Sequence, residues 1–179
     1  MPLLILDRDG VINLDSREFV KSTAEWEALP GSMEAIGILS RAGIPVSVAS
    51  NQSGIGRGLF SRSALYSMHR KMRRLAARNG GRIERIVFCP HVPEDACTCR
   101  KPLPRMVQDL ISAHGVVAGQ VVAVGDSLRD IDAATSAGAR PVLVLTGNGK
   151  ATQAALQMRG QSVATFDNLL AFAKSVVDE

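Results

Sequence analysis

The sequence predicts a doubly wound α/β domain with a mostly parallel sheet, and three observations support this fold class. Short apolar, β-branched runs recur along the chain, and helical patterns fill the intervals between them. The predicted strands are Leu3–Leu6, Pro45–Ala49, Ile83–Phe88, Val121–Val124, Pro141–Leu145 and a weaker Ser162–Ala164. Aromatic residues make up only 4% of the chain, so the core must be aliphatic, which is typical of a parallel sheet covered by helices. The 179 residues suit one domain that spans 1–179.

Helix boundaries follow from capping residues, prolines and glycines. The predicted helices are Glu34–Ala42, Ser61–Asn79, Pro104–His114, Leu128–Ala137 and a last helix that Asp167 caps and that runs to Val177. Ser61 is a possible N-cap, and Pro104 stands near a helix start, where its missing N–H is not needed. Residues 146–179 carry no functional motif and are expected only to complete the fold.

Charge and hydropathy narrow the function classes without choosing one. The net charge is +4 and the pI is about 9.3, which suits nucleic acid or any anionic substrate. The helix with Arg70, Lys71, Arg73, Arg74 and Arg78 holds much of the excess. We interpret it as a solvated face. The chain shows neither a signal peptide nor an apolar run near the roughly 20 residues that span a bilayer, so a cytoplasmic location is expected.

Carboxylates follow two of the predicted strands. Asp7 and Asp9 come directly after the first strand, and the period of two points them the same way. Two such close carboxylates repel unless a cation lies between them, although a plain polar turn is the alternative. Asp126 follows the fourth strand and is either a metal ligand or only a helix N-cap, and Asp130 could return to the same site from the first helical turn.

Two further positions suit a phosphate. Ser50 ends the second strand and leads into the loop Asn51–Gly58, whose hydroxyl and backbone N–H groups could cradle phosphate oxygens. A plain flexible loop is the alternative, because the glycines match neither a dinucleotide fingerprint nor a Walker loop. Lys101, before a later helix, could neutralise a phosphate in transfer.

A cluster of cysteines predicts a second metal site. All three cysteines and one histidine lie in one loop, as Cys89, His91, Cys97 and Cys99. An odd number of cysteines argues against a disulfide framework, and four such ligands suit tetrahedral Zn²⁺. Because four protein ligands close the site, we expect a structural ion. We further expect this ion to fix the loop and thereby to position Arg100 and Lys101 over the phosphate site. Buried thiols beside a surface histidine are the alternative.

The order of these motifs resembles the haloacid dehalogenase (HAD) superfamily of phosphatases, from Leu3 to Leu145. The resemblance carries four elements: DxDG after the first strand, Ser after the second, Lys before a later helix and GDxxxD after the fourth. It implies a Rossmann-like HAD core, with Asp7 as the nucleophile that forms an aspartyl-phosphate and Asp9 as the general acid and base. It further implies a catalytic Mg²⁺ held by Asp7, the carbonyl of Asp9 and Asp126. Ser50 and Lys101 would then hold the phosphoryl group.

Two branches of this superfamily share the pattern CPH…CxCRKP. They are the D-glycero-D-manno-heptose 1,7-bisphosphate 7-phosphatases, which serve nucleotide-activated heptose (lipopolysaccharide core) biosynthesis, and the histidinol-phosphate phosphatases. The loop Asn51–Gly58 reads NQSGIGRG and looks like the heptose branch. The stretch Leu103–Met106 also resembles the heptose branch, although Arg105 replaces the usual glycine. Two features differ from some heptose enzymes: the spacer between His91 and Cys97 is short, as in the histidinol branch, and Ser127 stands where a lysine can occur.

A sugar bisphosphate also has a physical rationale, because Arg57 and Arg100 exceed what one transferred phosphate requires. No insertion is long enough for a separate cap domain, so loops must form the pocket wall. The resemblance implies these substrate-binding residues: Asp15, Ser16, Arg17, Glu18, Asn51, Gln52, Ser53, Arg57 and Arg100. A nucleic-acid 3′-phosphatase and a non-catalytic receiver-like domain are the rival classes. We expect a monomer that acts on a small molecule, without a nucleic-acid or membrane partner.

Overall fold

A computed structural model describes residues 1–177, and its strands form one parallel sheet. The strands are β1 (Leu3–Leu6), β2 (Val46–Asn51), β3 (Ile83–Cys89), β4 (Val121–Gly125), β5 (Arg140–Val144) and β6 (Ala164–Phe166). Their order across the sheet is β3-β2-β1-β4-β5-β6, and every neighbouring pair is parallel. The predicted α/β fold class is therefore confirmed.

Helices cover both faces of the sheet. They are α1 (Ser32–Arg41), α2 (Ser53–Gly56), α3 (Arg62–Arg78), α4 (Arg105–His114), α5 (Leu128–Ser136), α6 (Gly149–Met158) and α7 (Leu169–Val177). Helices α1, α3 and α7 share one apolar core with Leu4 and Leu6 of β1, whereas α4 and α5 share another with Leu3 and Ile5. The side chains of β1 thus alternate between two helical layers, as expected in a parallel sheet that helices cover on both faces. No helix within 1–177 is long and apolar enough to cross a membrane.

The sheet order places two predicted motifs side by side. Chain connections run outward in opposite directions from β1 and β4, which pair with each other in the middle of the sheet. Ligands bind at such a switch point, beyond the carboxyl ends of the strands. Asp7 follows β1 and Asp126 follows β4, and the Asp7 N–H donates to Val124 O at 2.9 Å.

The last third of the chain differs most from the sequence prediction. Helix α6 was not predicted, although its run of Ala, Gln, Leu and Met favours a helix. Strand β6 lies two residues later than predicted. Its position depends on Phe166, which pairs with Val144 and packs edge-on against Phe172. Asp167 is not the cap of α7. The side chain of Asn168 instead accepts the Ala171 N–H at 2.9 Å.

The pocket walls come from loops, as predicted, and the described residues contain no separate cap. One wall is the stretch between β1 and α1, which is held by helix α3. Lys71 of α3 donates to Thr23 O at 2.7 Å and to Trp26 O at 2.6 Å, with its ammonium 5.7 Å from the Trp26 ring centroid. The predicted solvated face therefore holds for the exposed arginines of α3 but not for Lys71.

Candidate active site

Lys101 lies between two carboxylates at the carboxyl edge of the sheet. Its Nζ is 2.9 Å from Asp7 Oδ1 and 2.5 Å from Asp130 Oδ1, and it donates to Ala49 O at 2.8 Å. Burial acts to lower the pKa of Lys101, but Asp130 and Asp7 outweigh it and hold the pKa above its usual value. A buried lysine thus remains charged beside the residue predicted to be the nucleophile.

Asp126 occupies a niche that only glycine backbones leave open. A Cβ added at Gly10 would lie 2.2 Å from Asp126 Oδ2, and one added at Gly147 would lie 2.1 Å from the same atom. This oxygen accepts from the Asn148 N–H at 2.7 Å and from its Nδ2 at 3.2 Å. Asp126 is not the cap of α5, because the cap is Ser127, whose N–H and hydroxyl both donate to Asp130.

The acidic cluster has the composition of a magnesium site. Carboxylate oxygens of Asp7, Asp126 and Asp130 all lie within 4.8 Å of one another. Burial, and then the charge of Asp130, raise the pKa of Asp7 to about 8 and that of Asp126 to about 6. Such strain between buried carboxylates is relieved by a divalent cation, and Mg²⁺ prefers oxygen ligands. Both Asp130 oxygens already have partners, so Asp7 and Asp126 are the carboxylates free to bind the ion.

Asp9 is held as a carboxylate by several donors. Arg8 binds both of its oxygens at 2.7–3.2 Å, Asn13 Nδ2 donates at 2.8 Å and Gln52 Nε2 at 2.7 Å. Burial acts to raise the pKa of Asp9, but the Arg8 guanidinium and these hydrogen bonds outweigh it and hold the pKa below its usual range. The carboxylate is therefore ionised and fixed in orientation.

These groups open into a cavity of about 410 Å³. Most of the residues that the sequence singled out line it: Asp7, Asp9, Asp15, Ser16, Arg17, Asn51, Gln52, Ser53, Arg57, Arg100, Lys101 and Asp126. The sequence reasoning assigned no role to Arg8, Phe19, Arg129 or Asn148, which also line it. A possible signal for Arg8 and Arg129 was their position inside the two acidic motifs. Asn148 carried none, because its contact with Asp126 depends on the tertiary structure.

Two predicted site residues lie elsewhere. Ser50 is 1% exposed, does not line the cavity and accepts a hydrogen bond from Gln52 Nε2 at 2.8 Å. Gln52 therefore separates the Ser50 hydroxyl from the pocket in this structure. Glu18 lines a neighbouring groove with Lys21 and Glu25 instead of the cavity, and the next residue, Phe19, has a φ of +64°.

Comparisons with known proteins bear on this site. Residues 98–171 match a family model described as HAD-hydrolase-like. The chain is 48% identical to the D-glycero-β-D-manno-heptose-1,7-bisphosphate 7-phosphatase of Neisseria meningitidis serogroup A, over all of this chain and 96% of that protein. It is 54% identical to the enzyme of that name from Bordetella bronchiseptica, over 86% of each.

A solved structure agrees in fold as well as in sequence. The crystal structure of D,D-heptose 1,7-bisphosphate phosphatase from B. bronchiseptica, complexed with magnesium and phosphate, superposes with a TM-score of 0.94. It is 48% identical and covers 99% of each chain. The chain belongs to the D-glycero-D-manno-heptose 1,7-bisphosphate 7-phosphatase family of HAD enzymes. It is a phosphoric monoester hydrolase, and the predicted family is confirmed.

The cysteine loop of this phosphatase brings its four candidate ligands together. The Sγ atoms of Cys89, Cys97 and Cys99 are 3.1–3.7 Å apart, and His91 Nδ1 is 3.5 Å from Cys89 Sγ and 3.3 Å from Cys99 Sγ. A tetrahedral zinc about 2.3 Å from each sulfur places the sulfurs about 3.8 Å apart. The four side chains therefore fit a zinc ion, and they leave no ligand position for a substrate.

The same loop is attached to the carboxyl edge of the sheet. Asn51 and Lys101 exchange two hydrogen bonds of 3.0 Å, from Asn51 Nδ2 to Lys101 O and from Lys101 N–H to Asn51 Oδ1. Arg100 Nη1 donates to His91 O at 3.2 Å. The backbone of Lys101 is thus tied to the end of β2, while Arg100 is tied to one of the candidate zinc ligands.

Proposed function

We propose that this phosphatase removes the 7-phosphate of D-glycero-D-manno-heptose 1,7-bisphosphate with Mg²⁺, through an aspartyl-phosphate on Asp7. One observation carries the proposal. The cavity that contains Asp7 and Lys101 also contains the guanidinium groups of Arg57 and Arg100, which form no ion pair within residues 1–177. A substrate with two phosphates would place one at each set of charges.

The first step is the attack of the Asp7 carboxylate on phosphorus. Asp7 Oδ1 accepts from the Arg8 N–H at 2.7 Å and contacts Lys101, which fixes the orientation of the carboxylate. Mg²⁺ bound by Asp7, Asp126 and the main-chain carbonyl of Asp9 would offset the repulsion between nucleophile and phosphate. Lys101 is the better supported protein ligand of the phosphoryl group, because Ser50 lies behind Gln52.

Asp9 is the proposed general acid in the first step and the general base in the second. It must give a proton to the departing sugar oxygen and then take one from the water that hydrolyses the intermediate. Its carboxylate is ionised in this structure, which suits the second step directly. The first step requires a protonated Asp9. The negative charge of a bound phosphate dianion would raise the pKa of Asp9 and favour this protonated form.

The substrate assignment draws on the names of the relatives and on the arginines of the cavity. Histidinol phosphate is the alternative, but it has a single phosphate and would leave Arg57 and Arg100 without an anion. A nucleic-acid 3′-phosphatase is less well supported, because the arginines of α3 do not line the cavity. We place the reaction in nucleotide-activated heptose biosynthesis, with a small molecule as the partner. A single domain over 1–179, a monomer, a structural zinc and a cytoplasmic location remain predictions.

The test is phosphate release with Mg²⁺ from heptose 1,7-bisphosphate, as α and β anomers, and from histidinol phosphate. We expect kcat/KM to favour a heptose anomer by about 100-fold or more, as two lost charge-assisted contacts imply. The Asp9→Asn variant should lose turnover but keep Mg²⁺ binding, because its proposed ligand is a carbonyl. An acid-quenched peptide with phosphorylated Asp7 would reveal the intermediate. A preference for histidinol phosphate would refute the assignment of the substrate.

A further inference from the structure

Arg129 is a cavity residue with no role in the chemistry described so far. It lies on the first turn of α5, between Leu128 and Asp130. Its side chain lines both the cavity that contains Asp7 and an adjoining groove of about 360 Å³ beside the cysteine loop. Within residues 1–177 it forms neither an ion pair nor a side-chain hydrogen bond.

Arg129 adds to the positive charge of the cavity. Arg57, Arg100 and Arg129 all line it, and Arg100 and Arg129 also line the adjoining groove. The positive charge of Arg129 opposes the rise in the pKa of Asp15, which burial causes. Arg57 and Arg129 are exposed and Arg100 is half-buried, and exposed arginines are common on protein surfaces. Here three arginines converge on one cavity, where they repel one another unless an anion is bound.

The backbone of Arg129 is fixed relative to Lys101. Asp130 holds Lys101 through one oxygen and the N-cap Ser127 through the other, which links the first turn of α5 to the catalytic lysine. The Ser127 hydroxyl is engaged by Asp130 at 2.6 Å and offers no donor to the pocket. Arg129 is therefore the residue of this turn that can extend a positive group toward a ligand.

We propose that Arg129 is a specificity-determining residue that binds, together with Arg100, the phosphate of the substrate that is not transferred. The inference rests on the proposed function. It adds the guanidinium group of Arg129, on α5, to that of Arg100, which follows the cysteine loop. Two guanidinium groups on separate, anchored elements fix the distance between the second phosphate and Asp7. Substrates with a single phosphate would gain nothing from Arg129.

The experiment compares two substrates that differ by one phosphate, heptose 1,7-bisphosphate and heptose 7-phosphate. For Arg129→Gln we expect kcat/KM on the bisphosphate to fall about 10- to 100-fold, mainly through KM, the range for one charge-assisted contact. On the monophosphate it should change less than about twofold. Arg129→Lys should recover part of the loss, because a lysine supplies charge without the bidentate fork. Arg105→Gln is the matched control, since Arg105 is exposed, pairs with Asp109 and lies outside the cavity.

Each outcome decides between the two proposals. If Arg129→Gln keeps the full preference for the bisphosphate, Arg129 does not bind the second phosphate. If it loses the same factor on both substrates, its role is to position Asp130 and Lys101, and the inference is wrong. If the unmodified enzyme shows no preference for the bisphosphate, the proposed function fails first, before any variant is measured. Thermal melting of each variant identifies a loss that comes from unfolding.

Discussion

Lys101 Nζ lies 2.9 Å from Oδ1 of Asp7, and this contact joins the segment after the cysteine loop to the residue that follows β1. The ammonium has three donors, and Asp7, Asp130 and Ala49 O occupy all of them. A phosphate oxygen that binds Lys101 must therefore replace one of these partners. Lys101 therefore links three segments in this structure, and in the proposed reaction it would also supply positive charge to the phosphate.

Replacing Lys101 by Met should affect both roles. We expect kcat to fall by about 10²- to 10³-fold or more, the usual effect of removing a preorganised charge from a transition state. The melting temperature should also fall, and Mg²⁺ should restore part of it, because Asp7 and Asp130 lose their shared counterion. Lys150→Met is the control, since Lys150 is exposed on α6. Turnover within tenfold of the unmodified enzyme would show that Lys101 is not the phosphate ligand.

Removal of a metal from the cysteine loop should lower turnover, although none of the four candidate ligands lines the cavity. We expect Cys99→Ser to lose bound zinc and to reduce kcat/KM, since the loop that carries Arg100 and Lys101 loses its anchor. Zinc content, turnover in excess Mg²⁺ and hydrogen exchange of residues 93–103 are the measurements. Thr98→Ala is the matched control, because Thr98 is exposed between two ligands. A zinc-free protein with normal turnover and normal protection would separate the loop from catalysis.

Phe19 should act through Arg57. Its φ of +64° is unfavourable for a residue with a Cβ, and its ring centroid lies 6.0 Å from the Arg57 guanidinium carbon. A cation–π contact of about 0.5–1 kcal/mol corresponds to a roughly two- to fivefold change in binding. We expect Phe19→Leu to raise KM for the bisphosphate by that factor with little change in kcat.

Two further variants at this position separate the ring from the backbone. Phe19→Tyr should match the unmodified enzyme, because it keeps the aromatic face. Phe19→Gly should raise KM as Phe19→Leu does while it relieves the positive φ. Equal KM values for the Leu and Tyr variants would rule out a role for the ring.

His69 should make the folded state sensitive to acid. It is 6% exposed, and its pKa is lowered to about 4 by burial first, with Arg8 and Arg73 adding to the shift and Asp9 opposing it. Between about pH 6.5 and 4 the unfolded chain gains a proton at this histidine that the folded protein does not, so the free energy of unfolding falls as the pH falls. Above pH 6.5 the residue contributes no pH dependence.

Urea unfolding at pH 7.5 and pH 5.0 measures this effect. We expect His69 to account for about 2 kcal/mol of the loss between the two values. His69→Gln should remove that share while other titrating groups keep theirs. The comparison is therefore the difference between the two proteins in their pH-dependent loss. An identical loss in both would mean that His69 has the same pKa in the folded and unfolded states.

Local chemistry explains why much of this molecule was predictable. The strand β1 matches its predicted bounds because four buried aliphatic residues precede the acidic turn at Asp7. Ser61 caps α3 as predicted, by accepting the Ala64 N–H at 3.1 Å. The cluster of candidate zinc ligands follows from spacing within one loop, since all four lie within eleven consecutive residues. The short strand β6 and helix α6 were less predictable, because their apolar patterns are weak.

The fold class, the family and the residues at the strand ends were predictable from the sequence, because side-chain periodicity and the order of the motifs can be read along the chain without knowing which strands are adjacent. The contacts among these residues required the tertiary structure. Asn148 reaches Asp126 across 22 residues and Asn51 reaches Lys101 across 50, since the sheet order brings separate loops to one edge. The same packing placed Ser50 behind Gln52 and turned Arg129 toward the cavity. Contacts between distant segments depend on which strands are adjacent, and no local pattern carries that information.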